Sequence, residues 1–291
     1  MRALKLGLLL SWFAGAAHAG EAVDKTLTVK ADGLVRIDNV RGRIEVQGWD
    51  RSEVMVKGTL DDMTKSFTFE TSGSTTTVKV ETPDNLNRGK GSDLVIHVPS
   101  ASRVRVELVS ADLTMQALQG GVEGKTVSGE IDARDLRGTI LIGSVSGGIR
   151  VTGAAGPTTF NSVSGGIEAQ TDGEQLKITT VSGNADVRSR ARLKELTLHS
   201  VSGNFDVNSD LADGVQVKGS TTSGYIRLTV NSDVGAVVDL RTTSSGIKNL
   251  LSGDRPTREM SGGGELDATI GNGSGVIELT SISGRLELLT R

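Results

Sequence analysis

A five-residue phrase, Val-Ser-Gly-x-(apolar), returns at a near-fixed interval through the second half of the chain. It stands at Val127 to Ile131, Val145 to Ile149, Val163 to Ile167, Val181 to Ala185 and Val201 to Phe205. Looser copies follow at Thr222 to Ile226, Ser244 to Ile247 and Ile282 to Leu286. Successive phrase glycines, Gly129, Gly147, Gly165, Gly183, Gly203, Gly224 and Gly246, are separated by 18, 18, 18, 20, 21 and 22 residues. A period of this length marks a stacked array, in which one repeat cannot bury its own apolar face and relies on its neighbours. Gly138 lies midway between Gly129 and Gly147, so each coil is read as two strand-turn units. The second strand of each coil falls at Thr139 to Ile142, Thr158 to Phe160, Leu176 to Thr179, Leu196 to Leu198 and Val215 to Lys218. The expected fold is all-β: a parallel β-solenoid of 18–22-residue coils.

The repeat also assigns directions. Val127, Val145, Val163, Val181 and Val201 are expected to form one interior column, with Ile131, Ile149, Ile167, Ala185 and Phe205 beside it. The phrase glycines are expected at positive φ, where other residues are strained. The residue after each inward apolar must point out. This predicts an outward column of Asp132, Arg150, Glu168, Asp186, Asp206, Arg227 and Lys248. Such a column is either a solvated face that fixes register or a ligand-binding patch.

Upstream, residues 20–108 read as short alternating strands that cap the array, with a polar loop at Pro83 to Ser92. Residues 109–291 form the array, and Val109 to Leu113 is its first, degenerate copy. The rhythm breaks over 250–263, an insertion carrying Arg255 and Arg258 that has the character of a binding loop. The final strand, Arg285 to Leu289, would leave an end coil as an exposed edge, to be covered by the N-terminal strands or by a second copy.

Residues 1–19 read as a secretory signal: Arg2 and Lys5, an apolar run from Leu6 to Ala14, and an Ala17-His18-Ala19 cleavage site after Ala19. Loss of Arg2 and Lys5 leaves 30 basic residues against 35 acidic, a net charge of −5. That balance argues against a nucleic-acid partner. No other apolar run has membrane-span length. The chain has no cysteine, and after residue 19 its only Trp is Trp49 and its only Tyr is Tyr225. A narrow core between closely spaced sheets uses the Val, Ile, Leu and Ala that the repeats supply.

Together, Val40-Arg41-Gly42-Arg43-Ile44-Glu45-Val46-Gln47-Gly48-Trp49-Asp50, the Leu94 to Pro99 segment and the Val-Ser-Gly series resemble the putative adhesin family of bacterial β-strand-repeat proteins, a domain of unknown function. The resemblance covers nearly all of the chain after residue 19. It implies an extracytoplasmic β-solenoid and suggests adhesion, and it brings no catalytic residues with it.

Enzyme signatures are weak. Gly120 to Thr126 imitates a P-loop but is one residue short and leads into a strand. Only His97 and His199 follow the signal, far apart, so a zinc site is not expected. Gly262 to Asp267 is a single near miss to a calcium nonapeptide, and there is no G-x-S-x-G elbow. No cofactor is expected. The leading reading is a non-catalytic exported binding or scaffold protein, periplasmic or at the cell surface, for an envelope glycan or envelope protein. Its candidate binding residues are Arg255, Arg258, Asp132, Arg150, Glu168, Asp186 and Asp206. Two alternatives stand beside it: a polysaccharide lyase or hydrolase using carboxylates of that column, and a periplasmic partner in envelope-stress signalling.

Overall fold

The computed structural model describes residues 20–83, 89–258 and 262–291; the signal segment with Ala19 lies outside them. Among the described residues there are twenty-five strands and no helix. Numbered in chain order, the N-terminal strands are β1 (Ala22–Thr28), β2 (Leu34–Trp49), β3 (Glu53–Thr59), β4 (Ser66–Ser72), β5 (Thr75–Glu81), β6 (Ser92–Pro99) and β7 (Arg103–Gln116). Each following coil has one strand on each of two faces. The first face takes β8 (Val122–Thr126), β10 (Ile140–Ser144), β12 (Thr158–Ser162), β14 (Gln175–Thr180), β16 (Leu193–Ser200) and β18 (Leu211–Thr221). The second takes β9 (Ile131–Arg137), β11 (Ile149–Ala155), β13 (Ile167–Thr171), β15 (Ala185–Ser189), β17 (Phe205–Asn208) and β19 (Ile226–Val230). The chain continues through β20 (Ala236–Thr242), β21 (Ile247–Asn249), β22 (Thr257–Arg258), β23 (Gly264–Ile270), β24 (Gly275–Ser281) and β25 (Leu286–Thr290).

The array is a parallel β-solenoid with register held from coil to coil, as in Ile131 to Ile149 to Ile167 to Ala185 to Phe205. Strands β2 and β7 are long enough to serve both faces. Their first halves pair at Leu34 to Arg103 and their second halves at Ile44 to Leu113. From β7 the ladders run directly into β8 on one face and β9 on the other. At the N-terminal end the pairing includes antiparallel strands: β1 on β3, β3 on β6, and β4 on β5.

Ile131, Ile149, Ile167, Ala185 and Phe205 form the expected interior column, each at most 3% exposed. The phrase valines do not. Val127, Val145, Val163, Val181 and Val201 are 41–49% exposed and line the outside of a corner. The reason is a slip of phase at the bend. In an unbroken strand Val127 and Ile131 would share a face, but at the corner Val127 and Ser128 both face outward before burial resumes at Gly129. The inward position ahead of each valine is held by a small hydroxyl residue: Thr126, Ser144, Ser162 or Thr180. Those of Thr126, Ser162 and Thr180 bond within the bend itself, while Ser144 Oγ is buried without a partner among the described residues. Thr126 Oγ1 accepts from Gly129 N at 3.0 Å, and Ser162 Oγ donates to Gly165 O at 2.6 Å. A buried hydroxyl is costly without such a partner.

The role of the phrase glycines also differs from expectation. None of them has positive φ; that conformation falls elsewhere, at residues such as Gly121, Gly138 and Gly156 on the opposite corner. From Gly129 to Gly224 the phrase glycines are required by close approach instead, whereas Gly246 has open space around it. A Cβ on Gly147 would lie 1.8 Å from Gly129 O, and one on Gly165 would lie 2.0 Å from Gly147 O.

The C-terminal coils do not stack in chain order. β24 lies between β18 and β20, and β25 lies between β19 and β21. The chain therefore leaves a gap one coil wide after β19, builds β20 and β21 beyond it, and returns to fill it. Leu286 and Leu288 are fully buried, so the expected exposed end coil is an internal one. Beyond β20 the edge is closed by antiparallel β23 and β22.

A buried ion pair ties the N-terminal end together. Arg41 Nε lies 2.6 Å from Asp61 Oδ2, and Asp61 is 1% exposed at its side chain. Gly91 N and Met63 N also donate to this carboxylate, each at 2.9 Å. Burial works to raise the Asp61 pKa, but the hydrogen bonds from Arg41 and Met63 outweigh it and bring it from the usual 3.8 to about 2.

Two outcomes follow. Val163→Asp should cost within about 0.5 kcal/mol, because it faces water, whereas Ile167→Asp should cost upwards of about 3 kcal/mol by burying a charge, as read by chemical denaturation. Because the Asp61 pKa is depressed, its contribution is complete above the ordinary carboxylate range and is lost as pH falls toward 2, amounting to about 2 kcal/mol. Denaturation at pH 5, 3 and 2 should show that loss in the wild type and a smaller one in Asp61→Asn.

A candidate binding face

Strand alternation on the second face places Ile131 and Ala133 inward and Asp132 and Arg134 outward. In-register stacking then aligns Asp132, Arg150, Glu168, Asp186, Asp206 and Arg227 into one outward row. The intercalated last coil adds Glu287 between Arg227 and Lys248. The expected column is present, with one member that chain order conceals.

Its charges are unevenly satisfied. Arg150 Nε lies 3.4 Å from Glu168 Oε2, and Asp132 Oδ1 lies 3.1 Å from Arg134 Nε on its own strand. Arg227 bridges two coils, with Nη1 at 2.9 Å from Asp206 Oδ2 and Nε at 2.8 Å from Glu287 Oε2. Hydrogen bonds to Glu287 and then Asp206 raise the Arg227 pKa above its usual value. The Glu287 side chain is 8% exposed. Burial works to raise its pKa, yet the Arg227 hydrogen bond and charge leave it lowered overall. Glu168, Asp186 and Asp206 follow one another along the row without an intervening cation. Among the described residues Asp186 forms no ion pair.

A shallow groove of about 360 Å³ lies against this row. Its floor exists because Gly148 and Gly166 occupy the variable place of the phrase, where neighbouring coils carry Glu130 and Asn184. The doublets Gly147-Gly148 and Gly165-Gly166 were the sequence signal for it. Beyond the groove the variable position becomes an amide ladder. Asn204 Nδ2 donates to Asn184 Oδ1 at 2.9 Å, and Tyr225 N donates to Asn204 Oδ1 at 3.0 Å. The Tyr225 ring carries the Arg227 guanidinium at 5.3 Å. The face thus presents hydrogen-bonding groups at the strand spacing, about 4.8 Å apart, along an open surface.

Arg255 and Arg258 belong to a different place. Asn249 organises the turn after β21, with Nδ2 donating to Ser252 Oγ at 2.6 Å and to Asp254 O at 3.1 Å. Arg255 is exposed beyond it, and Arg258 lies in β22, paired with Gly264 of β23. The structure does not gather these arginines into the acidic row. Within 250–263, residues 259–261 lie outside the described residues, as do 84–88 of the expected polar loop.

The P-loop-like stretch enters strand β8, with Gly121 at φ 99°. His97 packs against Trp49 at 5.0 Å between ring centroids, whereas the Nδ1 of His199 lies 2.6 Å from Ser220 Oγ on the first face. Among the described residues no cluster of three His, Cys, Asp or Glu could hold a metal, and no helix is long and apolar enough to cross a membrane.

Fold and face together define a parallel β-solenoid with an open, polar lateral surface. The sequence profile of the toastrack family, DUF4097, matches residues 34–289, and the chain belongs to that family. No curated protein sequence matches it. Similar solved structures include a putative adhesin from Bacteroides fragilis NCTC 9343, at 10% identity over 94% of this chain and 99% of that one, with a TM-score of 0.45. A putative adhesin from Parabacteroides distasonis ATCC 8503 is 12% identical over 93% and 98%, with a TM-score of 0.27. A putative cell adhesion protein from Clostridium sporogenes ATCC 15579 is 9% identical over 93% and 100%, with a TM-score of 0.26.

The uneven row makes a direct prediction. Asp186→Lys would face Glu168 on one side and Asp206 on the other, and opposite charges across strands contribute roughly 0.2–1 kcal/mol each. The variant should be more stable by about 0.5–1 kcal/mol in low salt, with the gain shrinking as salt screens it. Denaturation midpoints at two ionic strengths would check this.

Proposed function

We propose that the protein is an exported, non-catalytic binding and scaffold protein of the cell envelope, and that its second face takes an envelope glycan or an envelope protein. The observation that carries this reading is the open groove over Gly148 and Gly166, walled by polar side chains repeating at the coil spacing. Repeated weak contacts along a regular face suit an extended partner better than a compact small molecule, which is usually enclosed in a deeper, more apolar pocket. The signal-like start of the sequence supports export.

A hydrolytic or lyase reading has one specific observation in its favour. Asp186 and Asp206 are register neighbours, and Asp186 lacks a cation partner among the described residues. Paired carboxylates are the usual requirement for glycoside cleavage.

A pull-down of the chain from Gly20 to Arg291 on peptidoglycan, envelope polysaccharide and membrane fractions tests the proposal, run beside Asp186→Ala/Asp206→Ala and Arg255→Ala/Arg258→Ala. Saturable retention on a glycan, weakened at least tenfold in the first double variant, is the expected result. Loss only in the second double variant would move the site to the 250–263 segment. Retention of a protein alone, identified by mass spectrometry, would favour a signalling partner. Release of reducing or unsaturated sugar that disappears in Asp186→Ala/Asp206→Ala would replace the binding reading with an enzymatic one.

A further inference from the structure

At the variable place of the phrase the backbone N–H faces the preceding coil. Where that coil supplies a side-chain oxygen, the oxygen caps the N–H. Glu130 N donates to Asp112 Oδ1 at 3.0 Å, Asn204 N to Asn184 Oδ1 at 3.1 Å, and Tyr225 N to Asn204 Oδ1 at 3.0 Å. Three consecutive coils between these lack the cap. The side chain ahead of Gly148 N is Glu130, which makes no bond to it, and the residues ahead of Gly166 N and Asn184 N are glycines. Among the described residues none of these three N–H groups has a partner in the chain, and all three residues line the groove of about 360 Å³. Arg285 N and Gly246 N are uncapped as well, but in the C-terminal coils outside the groove.

The groove therefore offers a row of donors about 4.8 Å apart. Each is aimed at a place where other coils hold a carbonyl or carboxylate oxygen. A ligand seated there has to bring acceptor oxygens, since a backbone N–H is satisfied only by an acceptor. Charge selects the kind of acceptor. Glu130, Asp132, Glu168 and Asp186 line the groove against the single cation Arg150, so a carboxylate or phosphate is repelled. A neutral amide oxygen, the group that Asn184 and Asn204 supply further along the row, meets no such repulsion. Asp186 has no cation partner among the described residues, and its carboxylate is placed to accept the N–H of the same amide.

Spacing separates two sources of secondary amide. An extended peptide turns carbonyls to one side at every second residue, about 6.7 Å apart, out of step with the row. An acetamido group hangs from a sugar ring and turns about its own bond, so it is not held to that interval. Packing does not demand glycine here either. A Cβ on Gly148 would come no closer than 4.0 Å to Gly166 O, and one on Gly166 no closer than 3.9 Å to Asn184 O. Neither glycine has positive φ. Asparagine would fit at both places and would cap the next coil as Asn184 caps Asn204. We propose that the groove over Gly148 and Gly166 is a subsite for the acetamido groups of an N-acetylated amino-sugar polymer, whose carbonyl oxygens take the place of the missing caps on Gly148 N, Gly166 N and Asn184 N. This rests on the second face being a glycan-binding surface, and it narrows the glycan to one class of sugar.

NMR titration of the nitrogen-15-labelled Gly20–Arg291 chain with a tetramer of N-acetylglucosamine, beside a glucose tetramer of the same linkage, tests this. The expected result is a downfield shift of the Gly148, Gly166 and Asn184 amide protons with the first sugar and none with the second. Gly148→Asn/Gly166→Asn should fold, as circular dichroism and the thermal midpoint report, and should bind the N-acetylated tetramer roughly tenfold more weakly, the loss of one or two hydrogen bonds. Should that variant misfold, the wild-type titration decides alone. An N-acetylated tetramer that binds without moving those amides, or binds the folded asparagine variant equally well, overturns the inference and leaves the protein a glycan binder. An equal response to the glucose tetramer does the same. A blocked tetra-alanine peptide that moves the three amides at higher affinity overturns it in favour of a peptide ligand. Amides unmoved by the N-acetylated tetramer through the millimolar range also overturn it, whichever polymer the pull-down retains.

Discussion

The structure depends on how closely one coil's backbone lies on the next at the Val-Ser-Gly corner. There the carbonyl oxygen of one coil's glycine occupies the space that a side chain on the next would need, at Gly147, Gly165, Gly183, Gly203, Gly224 and Gly284, while Gly246 in the outermost coil has open space instead. Glycine at this place is a consequence of packing distance, with no contribution from an unusual φ. Once the corner can close to that distance, the two strands of every coil meet their neighbours in register, and every outward position becomes a straight row. The charged row, the groove over Gly148 and Gly166, and the row of outward valines all inherit their regularity from this one contact.

A hydroxyl residue ahead of the outward corner residue completes most of the corners. Thr126, Thr221 and Ser281 accept from the glycine N–H three residues on, while Ser162 and Thr180 donate to the glycine carbonyl. These buried bonds fix the phase slip that turns the valines outward. They also separate the two jobs of the repeat: Ile131 and its equivalents build the core, and Val127 and its equivalents build the surface.

Much of this was legible in the sequence. The phrase spacing located the coils, and alternation correctly put Ile149 and Ile167 inside and Arg150 and Glu168 outside. The valines depart from the expected column because counting by twos assumes an unbroken strand, and the bend at Ser128 inserts one extra outward residue. The stacking order could not be read at all. A repeat pattern states that coils are equivalent, and it does not state which coil lies on which. Gly284 sits against Gly224 O, and Arg227 binds Glu287, sixty residues on. Only the lengthening of the steps to 20, 21 and 22 residues hinted that the last coils depart from simple order. Arg255 and Arg258 remained apart from the acidic row for the same reason: the segment that carries them sits beyond the intercalated coil.

The measurement that tests the account most directly is pairwise disulfide trapping across the C-terminal coils in a chain that has no cysteine of its own. Lys218 and Glu278 are register neighbours on the first face, as are Glu278 and Asp239. Neighbouring strands place such pairs about 4.8 Å apart, within the Cα range a disulfide spans. The account predicts rapid bridging in Lys218→Cys/Glu278→Cys and in Asp239→Cys/Glu278→Cys, and none in Lys218→Cys/Asp239→Cys. Bridging of Lys218→Cys to Asp239→Cys instead would mean that the coils stack in chain order, and would contradict the intercalated architecture.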